Sequence, residues 1–307
     1  MFNLLKYKAI LILLLLSTNT IADTKQLVRF IVPWSVGGSV DSVTRLLAAR
    51  LEEMLPIKVV VENKVGANGM IGIAHLVQNR SDPYMFAVDQ TNAYLNYFIQ
   101  RQNITYNPFS DLIPMAHIAE QYSVLVAHPS VPIKTYKDLV ILAKQNPGQL
   151  LFGHGGIGND GYVVMKMISA KHQISFNEIA YKSGAESFKD LAGGHIAVAI
   201  ANTTIARALV EQNKIKIIAK FSNRAPITAD LAGVQHSNNI VLFANRGTAS
   251  VEFAQNLRTA VNDIVKSDQF KTKVEYLGNR ALYMSDEELA RTIKTTVKSW
   301  EIAGLTQ

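Results

Sequence analysis

The chain has 307 residues, a formal net charge of +7 and no cysteine. Without cysteine it has no disulfide, no thiolate nucleophile or thiolate metal site, and no lipid-modified cysteine anchor. Lysines and arginines are spread along the chain, without a basic run interleaved with aromatic residues, which argues against nucleic acid as a partner. The modest positive charge suits an anionic solute or a negatively charged membrane surface as well as an ordinary soluble surface.

The first 22 residues have the pattern of a secretory signal peptide. Lys6 and Lys8 precede an unbroken apolar run over residues 9–16, and polar residues then lead to the small residue Ala22. That order of charged, apolar and small residues is typical of exported proteins. The apolar run is much shorter than the roughly 20 residues that a membrane-spanning helix needs. We therefore expect cleavage near Ala22 and a periplasmic location rather than a permanent anchor.

Strand-like and helix-like segments alternate along the rest of the chain. Residues 27–32 have the composition of a buried strand, and apolar residues at helical spacing follow over residues 40–54. This alternation predicts an α/β fold with mostly parallel sheets. Further strands are predicted at residues 59–61, 84–88, 150–152, 179–181, 196–200 and 215–219, and helices at 70–77, 135–146, 162–169 and 205–210.

The expected size of the exported chain, ~285 residues, favours two domains over one core. No low-complexity linker separates them, so we expect two lobes joined by strands that cross within residues 120–125 and again within 240–245. On this prediction residues 1–22 are the signal peptide and residues 122–245 form lobe 2. Lobe 1 is discontinuous and consists of residues 23–121 and 246–307.

Glycine-rich turns follow several predicted strands and precede helices. They lie at residues 33–41, 66–69, 153–161 and 182–185. Glycine lets the backbone approach a ligand closely, and the helix that follows offers unpaired N–H groups and the positive end of its dipole. In open α/β sheets such turns lie at the carboxyl ends of the strands, where ligands bind. Tight turns without a ligand are the alternative for any one of them.

Other patterns carry less information. Gly156, Gly158 and Gly161 match a dinucleotide fingerprint, but a single match is weak evidence and export removes the chain from cytoplasmic nicotinamide cofactors. His154 could contact a ligand or be a solvated loop residue. The histidines lack metal-binding spacing and no G-x-S-x-G nucleophile turn exists, so we expect no metal, no cofactor and no catalytic residues.

Five segments resemble motifs of a known family. The family's P-(F/Y)-x-P-G-G-x-x-D corresponds to residues 33–41, its V-E-N-(R/K)-x-G-A-x-G-x-I-G to 61–72, N-P-G-x-L to 146–150, its Y-K-G turn to 181–185 and L-x-G-G-x-(I/V) to 191–196. From Leu27 to about Leu305 the chain thus resembles the Bug-type (Bordetella uptake gene) extracytoplasmic receptors of tripartite tricarboxylate transporters.

The resemblance implies a two-lobed periplasmic binding protein type II fold that closes on a small solute, a carboxylate or in some members an amide. A carboxylate would rest on backbone amides of one turn in each lobe, and the closed form would dock on integral membrane transporter subunits as a monomer. A ligand-sensing accessory role is the alternative, and an exported enzyme is less favoured. The candidate ligand-binding residues are Ser35, Val36, Gly37, Gly38, Asp41, Asn68, Gln90, Asn92, Gly156, Gly158, Asn159, Asp160, Lys182, Ser183, Gly184, Asn202 and Thr203.

The chain departs from the family pattern at both principal turns. Val36 replaces a proline, Asn159 replaces a serine and Tyr162 replaces a histidine. Asp160 places a carboxylate at a turn expected to face an anion. We expect it to point outward and favour the helix N-terminus. If it points inward, it would repel an anion or pair with a cationic part of the solute, which keeps amino acids and amides open as ligands.

Overall fold

The computed structural model describes residues 25–99, 104–182, 184–221, 236 and 238–306. The predicted signal peptide and its cleavage near Ala22 lie outside these residues, as do Ser183 and the side chain of Asn202. Within the described residues no helix is long and apolar enough to cross a bilayer.

The chain alternates between strands and helices, as the sequence pattern predicts. The first part contains β1 (Gln26–Val32), α1 (Ser39–Met54), β2 (Ile57–Asn63), a 3₁₀ turn (Ala67–Gly69), α2 (Met70–Gln78), β3 (Met85–Gln90), α3 (Thr91–Ile99), α4 (Pro108–Asp111) and β4 (Leu112–Gln121). The middle part contains β5 (Ser123–Ala127), α5 (Tyr136–Gln145), β6 (Leu151–His154), α6 (Asp160–His172), β7 (Asn177–Ala180), α7 (Gly184–Ala192), β8 (Val198–Asn202), α8 (Thr203–Glu211) and β9 (Lys216–Phe221). The last part contains β10 (Asn238–Asn245), α9 (Glu252–Lys266), α10 (Asp268–Tyr276), β11 (Asn279–Ala281) and α11 (Asp286–Ile302).

Two sheets flanked by helices confirm the predicted two-lobed α/β fold. Lobe 1 contains a six-stranded sheet in the order β11-β4-β10-β3-β1-β2, and lobe 2 contains a five-stranded sheet in the order β7-β6-β8-β5-β9. The expectation that each sheet is mostly parallel needs correction, because both are mixed. In lobe 1, β1 pairs in parallel with β2 and β3, while β10 runs antiparallel to β3 and β4. In lobe 2, β6 pairs in parallel with β7 and β8, and β5 runs antiparallel to β8 and β9.

Two strands next to the crossings between lobes, β5 and β10, pair antiparallel with both of their neighbours, and β11 pairs antiparallel with β4. Parallel neighbours need a crossover connection, usually a helix, whereas a strand that arrives from the other lobe can enter its sheet in the opposite direction. Tyr122 alone separates β4 in the first sheet from β5 in the second. The last strand of the second sheet, β9, ends at Phe221, and β10 pairs from Asn238 onward with strands of the first sheet. The predicted return within residues 240–245 is therefore too late, and β10 belongs to lobe 1.

Local signals in the sequence explain where several helices begin and end. Helix α1 buries Val43, Leu47 and Leu51, which recur at the helical spacing, against the first sheet. Helices α5 and α11 each begin with a reciprocal capping box, formed by Thr135 with Asp138 and by Ser285 with Glu288, as predicted.

Candidate functional site

A cavity of about 250 Å³ lies between the two lobes. Its size is slightly below the range of about 300–1,000 Å³ typical of pockets for drug-sized ligands, which suits a small solute. The predicted residues that line it are Ser35, Gly38, Gln90, Asn92, Gly158, Asn159, Asp160 and Gly184. Lining residues absent from the prediction are Trp34, Ser39, Val40, Asn96, Gln121, Ser123, Ala185, Phe188, Ile200 and Asn238.

Four helices begin at the cavity wall. Ser39 and Val40 open α1, Asp160 opens α6, Gly184 opens α7, and Asn92 lies in the first turn of α3. The first N–H groups of a helix have no partner within the helix, and the helix dipole makes this end positive. The parallel strands β1 and β6 place α1 and α6 here, since each helix starts after the carboxyl end of its strand. The cavity therefore offers convergent backbone donors suited to an anionic group.

Asp160 is the one charged side chain that lines the cavity within the described residues. It points inward, so the expectation of an outward orientation is wrong. Ser123 Oγ donates to Oδ2 at 2.5 Å, Asn92 Nδ2 donates to Oδ1 at 3.1 Å, and His236 Nε2 contacts the same Oδ1. These donors come from β5, from α3 in lobe 1 and from the return crossing. They offset the cost of burying the carboxylate.

The same contacts set the charge state of Asp160. Burial acts to raise the pKa of its carboxyl, but the neighbouring His236 and the hydrogen bonds from His236, Ser123 and Asn92 together hold that pKa below its ordinary value. Sequence reasoning missed His236 and Ser123. No local motif marks either residue, because both reach Asp160 only through the crossings between lobes.

Trp34 forms part of the cavity wall, and a hydrogen bond to the buried Asp89 holds its indole in place. The Trp34 indole Nε1 donates to Asp89 Oδ1 at 2.7 Å, and the Gln90 backbone N–H donates to the same oxygen at 2.7 Å. Burial dominates these hydrogen bonds and raises the pKa of Asp89 to about 8. At neutral pH the protonated, neutral acid therefore supports the indole. Beside it, Gln90 Nε2 donates to Gln121 Oε1 at 2.6 Å, which orients two amides of the cavity wall.

Asp41, Gly37 and Val36 were predicted to bind ligand but do not line the cavity. Asp41 is buried and accepts hydrogen bonds from the Gly37 backbone, Arg45 and Asn63. Burial opposes its charge, but these partners hold the pKa of its carboxyl below the ordinary value. Asp41 thus stabilises the first glycine turn through the Gly37 N–H without lining the cavity. Val36 lies on the outside of this turn with 72% of its surface exposed.

Asn68 connects the two lobes instead of lining the cavity. Its Nδ2 donates to the Ile157 carbonyl of lobe 2 at 2.7 Å, and its own carbonyl accepts from Asn96 Nδ2 at 3.2 Å. Gly158 fits closely against this contact, since a Cβ added there would lie 2.0 Å from Asn96 Oδ1. Together with the bond from Asn92 to Asp160, these contacts hold the lobes closed against each other.

The other described residues of the prediction, Gly156, Lys182 and Thr203, do not line the cavity. Gly156 has a φ of 97°, and its backbone N–H donates to His154 Nδ1 at 3.1 Å, while His154 Nε2 contacts Glu178. His154 is buried, so it is neither a solvated residue nor part of the cavity lining. The Lys182 backbone donates to Glu186, and Thr203 Oγ1 donates to the Gly278 carbonyl of lobe 1 at 2.7 Å. The described residues hold no cluster of side chains able to bind a metal ion.

Comparison with protein families gives one matching model. It is described as "Tripartite tricarboxylate transporter family receptor" and matches residues 43–303. A protein of Cupriavidus necator, "UPF0065 protein in gbd 5'region", is 28% identical over 279 residues, which cover 88% of this chain and 84% of the relative. Protein BugT of Bordetella pertussis is 27% identical over 197 residues, which cover 64% of this chain and 60% of the relative.

Solved structures share the fold. The R. palustris protein Rpa4515 with adipate superposes with a TM-score of 0.80 at 25% identity, covering 92% of this chain and 99% of that chain. The periplasmic binding protein BugD gives a TM-score of 0.76 at 23% identity, with 92% and 99% coverage. MatC of Rhodopseudomonas palustris with bound malate gives 0.76 at 20% identity, with 91% and 99% coverage. The last two identities are low enough that they support the fold alone.

Proposed function

Because the chain belongs to the tripartite tricarboxylate transporter receptor family, we propose that it captures a small carboxylate-bearing solute between its lobes and delivers it to a membrane transporter of that tripartite type. The observation that carries the proposal is the convergence of helix N-termini on one cavity between the lobes. Such ends bind anions without a cationic side chain, and no lysine or arginine lines this cavity within the described residues.

Each lobe supplies part of the site on this proposal. Gly38 with the first turn of α1 receives the carboxylate from lobe 1, and Gly158 and Gly184 form the opposite wall of the cavity from lobe 2. The amides of Gln90 and Gln121 recognise neutral polar groups of the solute. The related Rpa4515 structure with adipate supports a carboxylate as the ligand class.

The lobe arrangement supports delivery rather than turnover. Receptors of this type bind by hinge closure, which buries a solute between two lobes. Here Asn68, Asn92 and Asn96 of lobe 1 already contact lobe 2. The closed surface is what a periplasmic monomer would present to the integral transporter subunits. The family consists of solute-binding receptors, and we propose no catalytic step.

The test is to identify and then measure the ligand. Mass spectrometry of the native protein should find a small carboxylate that co-purifies, and thermal-shift screening of carboxylates and amino acids should find one that raises the melting temperature. Gly38→Val should weaken calorimetric binding of that ligand by tenfold or more, because the side chain enters the cavity wall and lies against the Ser35 carbonyl, 3.0 Å from an added Cβ.

Gly247→Val is the matched control, since a Cβ at Gly247 meets nothing within 4 Å and the residue lies in the turn after β10. Both variants should keep a cooperative melting transition. Unchanged affinity in a folded Gly38→Val protein would place the carboxylate elsewhere. Failure of every carboxylate to co-purify or to shift the melting temperature would overturn the proposal that the protein captures a carboxylate.

A further inference from the structure

The two sides of the cavity differ in electrostatic character. At α6 the positive helix end already has its own carboxylate, Asp160, in the first turn. At α1 the first-turn acid is Asp41, which points away from the cavity and is bound by Arg45 and Asn63. The start of α1 therefore presents Ser39 and Val40 to the cavity without an acidic side chain in the cavity lining, whereas the start of α6 places a carboxylate there.

Asp160 retains capacity to accept another hydrogen bond. A carboxylate has about four acceptor positions. Oδ1 accepts a hydrogen bond from Asn92 Nδ2 and contacts His236 Nε2. Within the described residues, Oδ2 accepts a hydrogen bond from Ser123 Oγ alone. About a fifth of the Asp160 side chain remains accessible, with 21% exposed, and the residue lines the cavity. A solute can thus reach this carboxylate with a donor group.

A second solute carboxylate beside Asp160 is disfavoured in either state of His236. If the imidazole is neutral, two negative charges face each other in a site with little water, where Coulomb repulsion is strong. If the imidazole is protonated, it already pairs with Asp160 Oδ1, so the pair has no net charge to offer a second anion. No lysine or arginine lines the described cavity to compensate.

We infer that the solute carries a single carboxylate at the α1 end and a hydrogen-bond donor, an ammonium or amide N–H group, against Asp160. The inference rests on the proposed receptor function and narrows its substrate class to amino acids or monoamides. A solute of this class differs from adipate and malate, the dicarboxylates named in two structures of similar fold. Asp160 is then the residue that determines specificity.

Calorimetry with matched solutes tests this directly. For each carbon-chain length from about three to six, the probes are the dicarboxylate, its monoamide and the ω-amino carboxylate. The purified full-length protein should bind the amide or amino form at least tenfold more tightly than the dicarboxylate of equal length. Asp160→Asn should reduce that preference by tenfold or more, because it removes the negative charge and supplies a donor of its own.

Glu252→Gln, at the first turn of α9 and away from the cavity, is the matched control and should keep the wild-type ranking. A wild-type protein that binds a dicarboxylate as tightly as its amide overturns the inference while the receptor function stands. An unchanged ranking in a folded Asp160→Asn variant does the same. If Asp160→Asn does not fold, the wild-type ranking alone decides. If no probe of any end group binds, the carboxylate-receptor proposal itself fails.

Discussion

Asp89 is a buried acid whose function is to support an aromatic wall of the cavity. Its pKa is raised to about 8 by burial, whereas an unfolded aspartate has a pKa of about 3.9. Between these values the folded protein holds a proton that the unfolded chain releases. The free energy of unfolding should therefore fall as pH rises from about 4 to about 8, by up to about 1.4 kcal/mol per pH unit from this residue.

Asp89→Asn should remove this pH dependence. The amide oxygen can still accept from Trp34 and Gln90 but does not titrate. Relative to wild type, the variant should gain stability steadily between pH 5 and pH 8 in urea unfolding curves. Its absolute stability can be lower at every pH, since Asp89 Oδ2 has no hydrogen-bond partner within the described residues and a buried amide nitrogen there costs free energy.

Asp263→Asn, at an exposed position of α9, serves as the matched control for Asp89→Asn. A difference between the Asp89→Asn and wild-type curves that stays constant from pH 5 to pH 8 would contradict a raised pKa at this site.

Site residues could be predicted from the sequence where the backbone geometry of a turn requires glycine. They could not be predicted where a side chain is oriented by hydrogen-bond partners distant in the sequence. Gly38, Gly158 and Gly184 follow from the strand–turn–helix pattern, and all three line the cavity. The inward orientation of Asp160 depends on Ser123 and His236, which are distant in the sequence and enter through the crossings between lobes. A single sequence contains no local signal for such a long-range set of donors.

At the scale of elements, capping residues fix helix starts that the apolar pattern alone leaves uncertain. Ser285 Oγ accepts from the Glu288 N–H at 3.3 Å, and the Glu288 carboxylate accepts from the Ser285 N–H at 2.9 Å. Ser285→Ala should lower the free energy of unfolding by about 1 kcal/mol, because it leaves a first-turn N–H of α11 without its partner. Chemical denaturation at neutral pH measures this.

The same substitution at Ser299, a half-buried residue of α11 like Ser285, is the control. Ser299 Oγ donates to the Thr295 carbonyl, which already accepts within the helix, so Ser299→Ala should change stability by less than about 0.5 kcal/mol. Equal losses for the two variants would mean that the cap contributes nothing beyond an ordinary surface hydroxyl.

Element type was predictable, but strand direction was not. The alternation of strand-like and helix-like segments suggested parallel pairing, and β1 with β2 and β3 follows it. β10 looks like any other buried strand, since all its residues are buried, yet it arrives from lobe 2 and runs antiparallel. Direction is set by the side of the sheet from which the chain enters, which depends on the path through both lobes.

At the scale of the whole molecule, the contact between the lobes uses an asparagine in an unusual backbone conformation. Asn68 has φ 50° and ψ 44°, in the left-handed region, and its side chain reaches the Ile157 carbonyl of the other lobe. The sequence predicts Asn68 as a ligand-binding residue, whereas the structure shows contact with the opposite lobe.

Asn68→Gly should therefore shift the balance between open and closed lobes. Glycine adopts the left-handed conformation without strain, so the substitution removes the cross-lobe hydrogen bond and little else. A hydrogen bond contributes about 1 kcal/mol, which is about a fivefold change in the closed population and in ligand affinity. The radius of gyration of the ligand-free protein in small-angle scattering should rise, and saturating ligand should restore it.

Asn213→Gly makes the same exchange at an exposed residue with φ 55°, in the turn that follows α8, and should alter neither the radius of gyration nor the ligand affinity. If Asn68→Gly matches Asn213→Gly in both scattering and affinity, closure does not depend on this contact.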